Sequence, residues 1–279
     1  MQIIKHTGRL KLVLSRYRKQ GATIGFIPTM GALHPGHLSL IKQSVITDDI
    51  TVSSIYVNPT QFDDKSDLKN YPRNFKSDYA LLKSEECTIV FSPDNKEMYP
   101  RPDNRRFNFG RMGDVMEGKM RPGHFNGVAQ IVTKLFDAVQ PHRAYFGKKD
   151  FQQLAIIQKL VNDYDIEIVA CPIIREKDRL AMSSRNSLLS DQERNDAPAI
   201  YRTLLLVKEK FRNRNVKEAE KFVEERINKY TSLKLEYFQI VNSITLDPVD
   251  EIASTIPLTA CIAVYAGSVR LIDNIDIFS

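Results

Sequence analysis

Two histidines in the amino-terminal part of the chain stand where a phosphate can bind. His34 and His37 follow the apolar run Ile24–Pro28, which predicts a strand, and they open a predicted helix whose first turn suits Pro35 and Gly36. Unpaired N–H groups and the positive end of the helix dipole attract anions at such a terminus. Residues at i and i+3 share one helix face, so both imidazoles can donate hydrogen bonds to one phosphate group.

Two other interpretations of this histidine pair remain open. A His-x-x-His pair can hold zinc, although no cysteine and no third histidine lies near His34 and His37 in the sequence. The pair can also consist of ordinary residues at the start of a helix. The glycine-containing strand-to-helix context favours phosphate binding over both.

A second phosphate-binding segment is predicted far downstream, at Met182-Ser183-Ser184-Arg185-Asn186. Two hydroxyls and a guanidinium in succession suit a triphosphate, because arginine offers a planar fork of donors. Taken alone, the segment can equally be a helix cap.

Charged and amide side chains follow two further predicted strands. Lys149 and Asp150 come after the run Arg143–Phe146, where a lysine can meet phosphate oxygens and an aspartate can accept from a ribose hydroxyl or a helix amide. An N-cap role for Asp150 is the alternative, and it does not exclude ligand contact. Gln61 and Gln153 can both donate and accept hydrogen bonds, so either can bind a polar ligand. The alternative interpretation is that both are ordinary surface glutamines.

Short β-branched runs alternate with segments of helical periodicity through the first part of the chain. The predicted strands are Thr23–Pro28, Ile50–Val57, Thr88–Phe91, Arg143–Phe146 and Ile166–Ile174, and the predicted helices are Gly36–Ile46, Pro72–Ser84, Gly127–Val139 and Asp150–Asp163. This alternation predicts an α/β fold, a doubly wound, Rossmann-like parallel sheet. Ligands collect at the carboxyl ends of the strands in such sheets, where the candidate residues lie.

The pattern changes after about residue 176. Helical segments at Asp191–Phe211 and Val216–Thr231 precede short β runs around Leu235–Val241 and Thr259–Ala266. We therefore predict two domains. The first, residues 1–175, contains the Rossmann-like parallel sheet and binds ligands at its strand ends, and the second is a smaller α+β carboxyl-terminal domain of residues 176–279.

Composition and charge narrow the class of protein. Of the 279 residues 42% are hydrophobic and 27% charged, which is typical of globular proteins, and no apolar run approaches the ~20 residues that cross a bilayer. The net charge of +6 comes with interleaved signs except in the basic stretch 101–121. The positive charge is the only feature of the sequence that supports nucleic-acid binding, so we expect no nucleic acid as a partner. Because no apolar run is long enough to cross a bilayer, we expect no membrane partner either. Three isolated cysteines predict no disulfide framework and no metal site.

The H-x-G-H pattern at His34–His37, paired with the Met182–Asn186 segment, is similar to the nucleotidylyltransferase superfamily. Further segments resemble the pantoate-beta-alanine ligase family over the whole chain, from Ile27-Pro28-Thr29-Met30-Gly31 to Arg270-Leu271-Ile272-Asp273-Asn274, with the intervening motifs Tyr56–Phe62, Tyr71-Pro72-Arg73, Arg121–Phe125 and Phe146–Gln153. The chain departs from that family at Arg179 and at Asp63, where the family usually has glycine.

The resemblance implies roles for individual residues. It gives the chief catalytic role to His37 and assigns pantoate to Gln61 and Gln153. The implied catalytic set also contains His34, Lys149, Ser183, Ser184 and Arg185. The implied nucleotide-binding set is Met30, Gly31, Ala32, Leu33, His34, Pro35, Gly36, His37, Gly147, Lys148, Lys149, Asp150, Ile174, Met182, Ser183, Ser184 and Arg185. No protein residue is expected to be a dedicated metal ligand.

The resemblance also implies the reaction. ATP is a substrate, with Mg²⁺ on its phosphates, and pantoate and beta-alanine condense to pantothenate, AMP and pyrophosphate through a pantoyl adenylate. A cytoplasmic homodimer is expected. The alternative enzyme is a nucleotidylyltransferase that transfers AMP to a phosphorylated acceptor; it would share both phosphate-binding segments but would not need Gln61 or Gln153.

Overall fold

The computed structural model describes residues 1–278, which form a six-stranded sheet and a three-stranded sheet. The strands of the first sheet are β1 (Gln2–Ile4), β2 (Ile24–Thr29), β3 (Ile50–Ile55), β4 (Ile89–Phe91), β5 (Arg143–Gly147) and β6 (Glu167–Cys171). All of its pairings are parallel, in the order β1-β4-β3-β2-β5-β6. The predicted doubly wound parallel sheet is therefore confirmed.

Helices connect these strands along the chain. They are α1 (Thr7–Lys19), α2 (Pro35–Thr47), α3 (Lys65–Asn70), α4 (Phe75–Ser84), α5 (Asn95–Met98), α6 (Met116–Met120), α7 (His124–Val139) and α8 (Phe151–Leu160), with 3-10 turns at Pro59–Gln61, Gly110–Gly113 and Val161–Asp163. Helix α2 packs on β2, β3 and β5, while α7 contacts β2 and α1. None of the helices in residues 1–278 is long and apolar enough to cross a membrane.

The carboxyl-terminal part of the chain carries the second sheet. It contains a 3-10 turn (Ser184–Leu188), α9 (Asp191–Asp196), α10 (Ala199–Lys210), α11 (Val216–Ile227) and the strands β7 (Leu233–Asn242), β8 (Leu258–Ala266) and β9 (Val269–Asp276). These strands are antiparallel in the order β7-β8-β9, and an apolar core that includes Leu204, Val223 and Ile262 packs between sheet and helices. The predicted α+β part is confirmed.

Proline explains two differences from the predicted elements. Strand β6 ends at Cys171, before the predicted end at Ile174, because Pro172 has no N–H to donate to a neighbouring strand. The single helix predicted over Asp191–Phe211 is wrong: it is interrupted around Pro198, which separates α9 from α10.

The chain forms two compact units, each assembled from more than one segment. The first contains residues 1–109, 121–148 and 156–172, and the second contains residues 110–120, 149–155 and 173–279. Residues 110–120 and 149–155 belong to the first domain in the sequence-based division but group here with the second unit. The boundary at residues 175 and 176 stays a prediction.

Candidate active site

The loop between β2 and α2 belongs to the first unit and is held by a buried carboxylate. Gly31 (φ 81°) and Ala32 (φ 50°) both adopt the left-handed conformation, and a Cβ on Gly31 would lie 2.8 Å from Asp78 Oδ2. The two Asp78 oxygens accept the N–H groups of Ala32 (3.0 Å) and Leu33 (2.8 Å). Asp78 is only 2% exposed and comes from the first turn of α4. It therefore holds the turn that leads into the two histidines.

His34 and His37 form a reciprocal cap at the start of α2. His34 Nδ1 accepts the N–H of Gly36 at 3.1 Å, and His37 Nδ1 accepts the N–H of His34 at 3.3 Å. A ring nitrogen that accepts a hydrogen bond carries no proton, so each neutral imidazole bears its proton on Nε2. The ring centroids are 4.0 Å apart. Both rings thus offer a donor from the same end of the helix, as a shared phosphate requires.

Gln61 lies beside this loop. It ends the 3-10 turn after β3, and its Nε2 donates to Met30 Sδ at 3.1 Å. Asn58, which is 1% exposed, donates from Nδ2 to Gln61 Oε1 at 3.2 Å and to the Gly127 carbonyl at 3.1 Å. These contacts fix which end of the amide faces Met30.

Strand β5 ends at Gly147, and the Lys148 N–H donates to the Cys171 carbonyl of β6 at 2.8 Å. The next residues belong to the second unit. There Asn274 Nδ2 donates to the Lys149 carbonyl at 3.0 Å, and the Asp150 carbonyl accepts the Leu154 N–H at the start of α8. Both residues are therefore held at the beginning of this helix.

A buried charge lies near Lys149. Asp273 pairs with Arg175 at 2.6 Å. Burial raises the pKa of Asp273, while the positive charges of Arg175 and Lys149 act in the opposite direction.

Adjacent glutamines on α8 have different surroundings. Gln152 is 3% exposed; its Oε1 accepts the Glu117 N–H and its Nε2 donates to the carbonyls of Met112 and Val115. Gln153 is half-buried. Gln152 is thus a structural residue, and Gln153 remains the candidate ligand of the pair.

The segment Met182–Asn186, which the sequence predicts to bind phosphate, follows a short hairpin in the second unit. The Met182 N–H donates to the Ile174 carbonyl at 3.0 Å, and the backbones of Arg175 and Ala181 form an antiparallel β-bridge. Ser183 Oγ accepts the Arg185 N–H at 3.3 Å and caps the turn Ser184–Leu188. Ser183 therefore takes the capping role that the sequence left open, while Ser184 and Arg185 are half-buried beside it.

Arg179 lies at the turn of this hairpin with φ at 77°, in the left-handed region that favours glycine. Its N–H donates to the Glu176 carbonyl at 2.9 Å, and the Glu176 N–H donates to the Leu180 carbonyl at 2.8 Å. The backbone at residue 179 thus has a conformation that favours glycine, although arginine occupies the position.

We expect Arg179→Gly to stabilise the second unit. Relief of left-handed strain, less the entropy that glycine adds to the unfolded chain, predicts a gain of about 0.5 to 1 kcal/mol in the free energy of unfolding. Urea unfolding measures it, and Arg179→Ala, which removes the same charge but keeps a Cβ, is the control. An equal gain in both variants would attribute the effect to charge rather than to backbone strain.

Sequence reasoning missed two residues of the first unit that hold this site. Asp78 lies far along the chain from the loop it holds, and Asn58 was part of a recognised motif but had no role. For Asn58, the sequence offered one signal, an Asn-Pro pair directly after a predicted strand. For Asp78 it offered no signal, because a single acidic residue within a helical pattern is not distinctive. No cluster of three or more His, Cys, Asp or Glu side chains within residues 1–278 is arranged to hold a metal ion.

Comparison with known proteins gives consistent results. The profile of the pantoate-beta-alanine ligase family matches residues 2–276. Pantothenate synthetase of Bacteroides fragilis (strain YCH46) is 52% identical over 277 residues, covering 99% of this chain and 98% of the relative. The corresponding enzyme of Porphyromonas gingivalis (strain W83) is 50% identical over 278 residues, covering 99% of each.

Solved structures agree with the sequence comparison. The crystal structure of pantothenate synthetase from Thermus thermophilus superposes with a TM-score of 0.92 at 37% identity over 100% of both chains. Pantoate-beta-alanine ligase from Francisella tularensis, complexed with beta-gamma ATP and beta-alanine, superposes with a TM-score of 0.84 at 33% identity, covering 100% of this chain and 98% of that one.

Proposed function

Because the chain belongs to the pantoate-beta-alanine ligase family, we propose that its strand-end loops and the Met182–Arg185 segment carry the reaction of that family. The reaction is the ATP-dependent condensation of (R)-pantoate with beta-alanine, which yields pantothenate, AMP and pyrophosphate. A carboxylate oxygen is a poor leaving group, so the acid must be activated first. In the first step a pantoate oxygen attacks the α-phosphate and pyrophosphate departs; in the second the amine of beta-alanine attacks the acyl carbon and AMP departs.

The loop Met30–His37 would bind the nucleotide in this scheme. The Nε2–H groups of His34 and His37 face charge that grows on the α-phosphate, and such donors accelerate a reaction when they are stronger partners of the transition state than of the substrate. Gly147–Asp150, Ile174 and Met182–Arg185 are proposed as further ligands of the nucleotide, with Lys149 and Arg185 as the cations among them.

The contact of Gln61 Nε2 with Met30 Sδ at 3.1 Å is the observation that carries the assignment of pantoate. It joins the proposed pantoate ligand to the nucleotide loop. An attack on the α-phosphate requires the two substrates to lie this close, because reacting atoms must approach within about 3.5 Å. A nucleotidylyltransferase with a phosphorylated acceptor has no need of that amide.

Mg²⁺ is proposed to enter with ATP. The ion commonly takes most of its ligands from phosphates and water, which fits a chain whose described residues contain no metal-binding cluster. When bound, it supplies neutralisation of charge on the departing pyrophosphate. We also propose that the enzyme works in the cytoplasm as a homodimer; sedimentation equilibrium would measure its oligomeric state.

Product identity tests the proposed mechanism. With ATP, Mg²⁺, D-pantoate and beta-alanine we expect AMP and pyrophosphate in equal amounts, and with pantoate omitted neither. Chromatography of the nucleotides distinguishes AMP from ADP. Formation of ADP would mean attack on the γ-phosphate and would overturn the adenylate.

We expect Gln61→Ala and Gln153→Ala to weaken pantoate binding selectively. A lost hydrogen bond on a buried polar substrate costs about 1 to 3 kcal/mol, so the KM for pantoate should rise about tenfold or more while the Kd of ATP stays within about twofold. Steady-state kinetics and calorimetry measure the two constants. Gln158→Ala, on the exposed face of α8, is the matched control; a weakened ATP affinity in the first two variants would contradict the assignment.

A further inference from the structure

The carbonyl of Gln61 is held by side chains at the start of α7. His124 Nδ1 lies 2.7 Å from Gln61 O, and Arg121 Nη2 donates to the same oxygen at 3.5 Å. His124 is the first residue of α7 and is 8% exposed. The backbone of a proposed substrate ligand is thus fixed from a different element of the first unit.

The partners of His124 determine its tautomer. A carbonyl oxygen only accepts, so Nδ1 must carry the proton that it donates to Gln61 O. A guanidinium only donates, so Nε2, which lies 3.3 Å from Arg121 Nη1, must be the acceptor. Histidine in this form joins a donor to an acceptor in a way that no aliphatic side chain reproduces.

Asp63 completes this arrangement. Its Oδ1 accepts Arg121 Nε at 3.2 Å, and the side chains of Arg121 and Asp63 are 18% and 34% exposed. We call Asp63, Arg121 and His124 the Gln61 support.

Close packing leaves Gln61 little freedom beside the support. A Cβ on Gly127 would lie 2.2 Å from the Thr60 carbonyl oxygen and 2.7 Å from Gln61 Cα, so α7 contacts the 3-10 turn directly. Asn58 bridges the Gly127 carbonyl and Gln61 Oε1. Backbone and side chain of Gln61 are therefore positioned from the same turn of α7.

We propose that His124 is a positioning residue for pantoate, acting through the Gln61 carbonyl, and that Asp63 strengthens this role by holding Arg121. The inference rests on the proposed role of Gln61 as a pantoate ligand. His124 itself need not touch substrate, because its effect is to keep the Gln61 amide where the substrate meets it.

Steady-state kinetics of the full chain test this proposal. For His124→Ala we expect the KM for pantoate to rise about tenfold, with kcat and the KM for ATP within about twofold, as loss of one hydrogen bond implies. His124→Asn can place an amide donor near the position of Nδ1–H and should recover most of the pantoate affinity. In the His124→Ala, Gln61→Ala double variant the KM for pantoate should equal that of Gln61→Ala, because the two residues act as one unit.

Asp63→Asn provides a second test if His124→Ala does not fold. Loss of a surface ion pair predicts a rise of about twofold in the KM for pantoate, smaller at high salt. Glu85→Gln, which breaks the ion pair with Lys42, is the matched control and should leave that constant unchanged.

The possible outcomes separate this proposal from the proposed function. Equal changes in the constants for pantoate and ATP, or no recovery in His124→Asn, would make His124 a structural residue and overturn the proposal. An unchanged KM for pantoate in Asp63→Asn would remove Asp63 from it. The proposed function fails independently, if the unmodified chain releases no AMP in the presence of pantoate.

Discussion

His37→Ala should lower kcat about 10²- to 10³-fold, because a donor aimed at transition-state charge is worth about 3 to 4 kcal/mol. The Kd of ATP should change much less, since the Nε2–H of His37 is proposed to meet charge that grows only during attack on the α-phosphate. Rapid-quench measurement of pantoyl adenylate formation, together with calorimetric titration of ATP, separates the two effects. Equal losses in kcat and in ATP affinity would reduce His37 to a binding residue.

A matched control for His37 exists elsewhere in the first unit. His37 Nδ1 also accepts the His34 N–H, so its removal costs helix capping as well as the proposed donor. His142 Nδ1 accepts the Ile24 N–H at 2.9 Å, but this contact lies at the amino ends of β2 and β5, opposite the candidate site. His142→Ala should therefore lose comparable stability and keep its kcat. A comparable loss of kcat in both variants would attribute the His37 effect to folding.

Lys149→Met should lower kcat/KM for ATP about 10²-fold. The substitution keeps most of the apolar stem and removes the cation that is proposed to stabilise charge on the triphosphate, an interaction of about 3 kcal/mol. The hydrogen bond from Asn274 goes to the Lys149 backbone, so the helix start should be preserved. Rates of pyrophosphate release at varied ATP concentration measure the effect.

The control for Lys149 is Lys42→Met, which removes one positive charge from the exposed surface of α2. It should change kcat/KM by less than about twofold, because screening weakens the effect of a distant exposed charge. If Lys149→Met behaves like Lys42→Met, Lys149 contributes only to net charge and has no place in the nucleotide site.

Local signals in the sequence predicted most of the parallel sheet. The five predicted strands of the parallel sheet are all present, and α2 begins at Pro35, because apolar runs, helical periodicity and proline at a helix start depend on neighbouring residues alone. Strand β1 was missed, since three residues carry too little pattern. Strand β9 was missed because polar Arg270, Asp273 and Asn274 interrupt its apolar run, and the structure satisfies them through ion pairs and hydrogen bonds.

The sequence by itself determined the family, the fold class and the segments that contain the candidate ligands, because each is written in residues close together along the chain. Only the tertiary structure decided how those ligands are held. Asp78 reaches the Gly31–Leu33 turn, and His124 reaches Gln61, across long stretches of chain that fold between them. The tautomers of His34, His37 and His124 depend likewise on which groups face each ring. Such contacts follow from the packing of separate elements, and no spacing in the sequence encodes the distance between two atoms brought together by that packing.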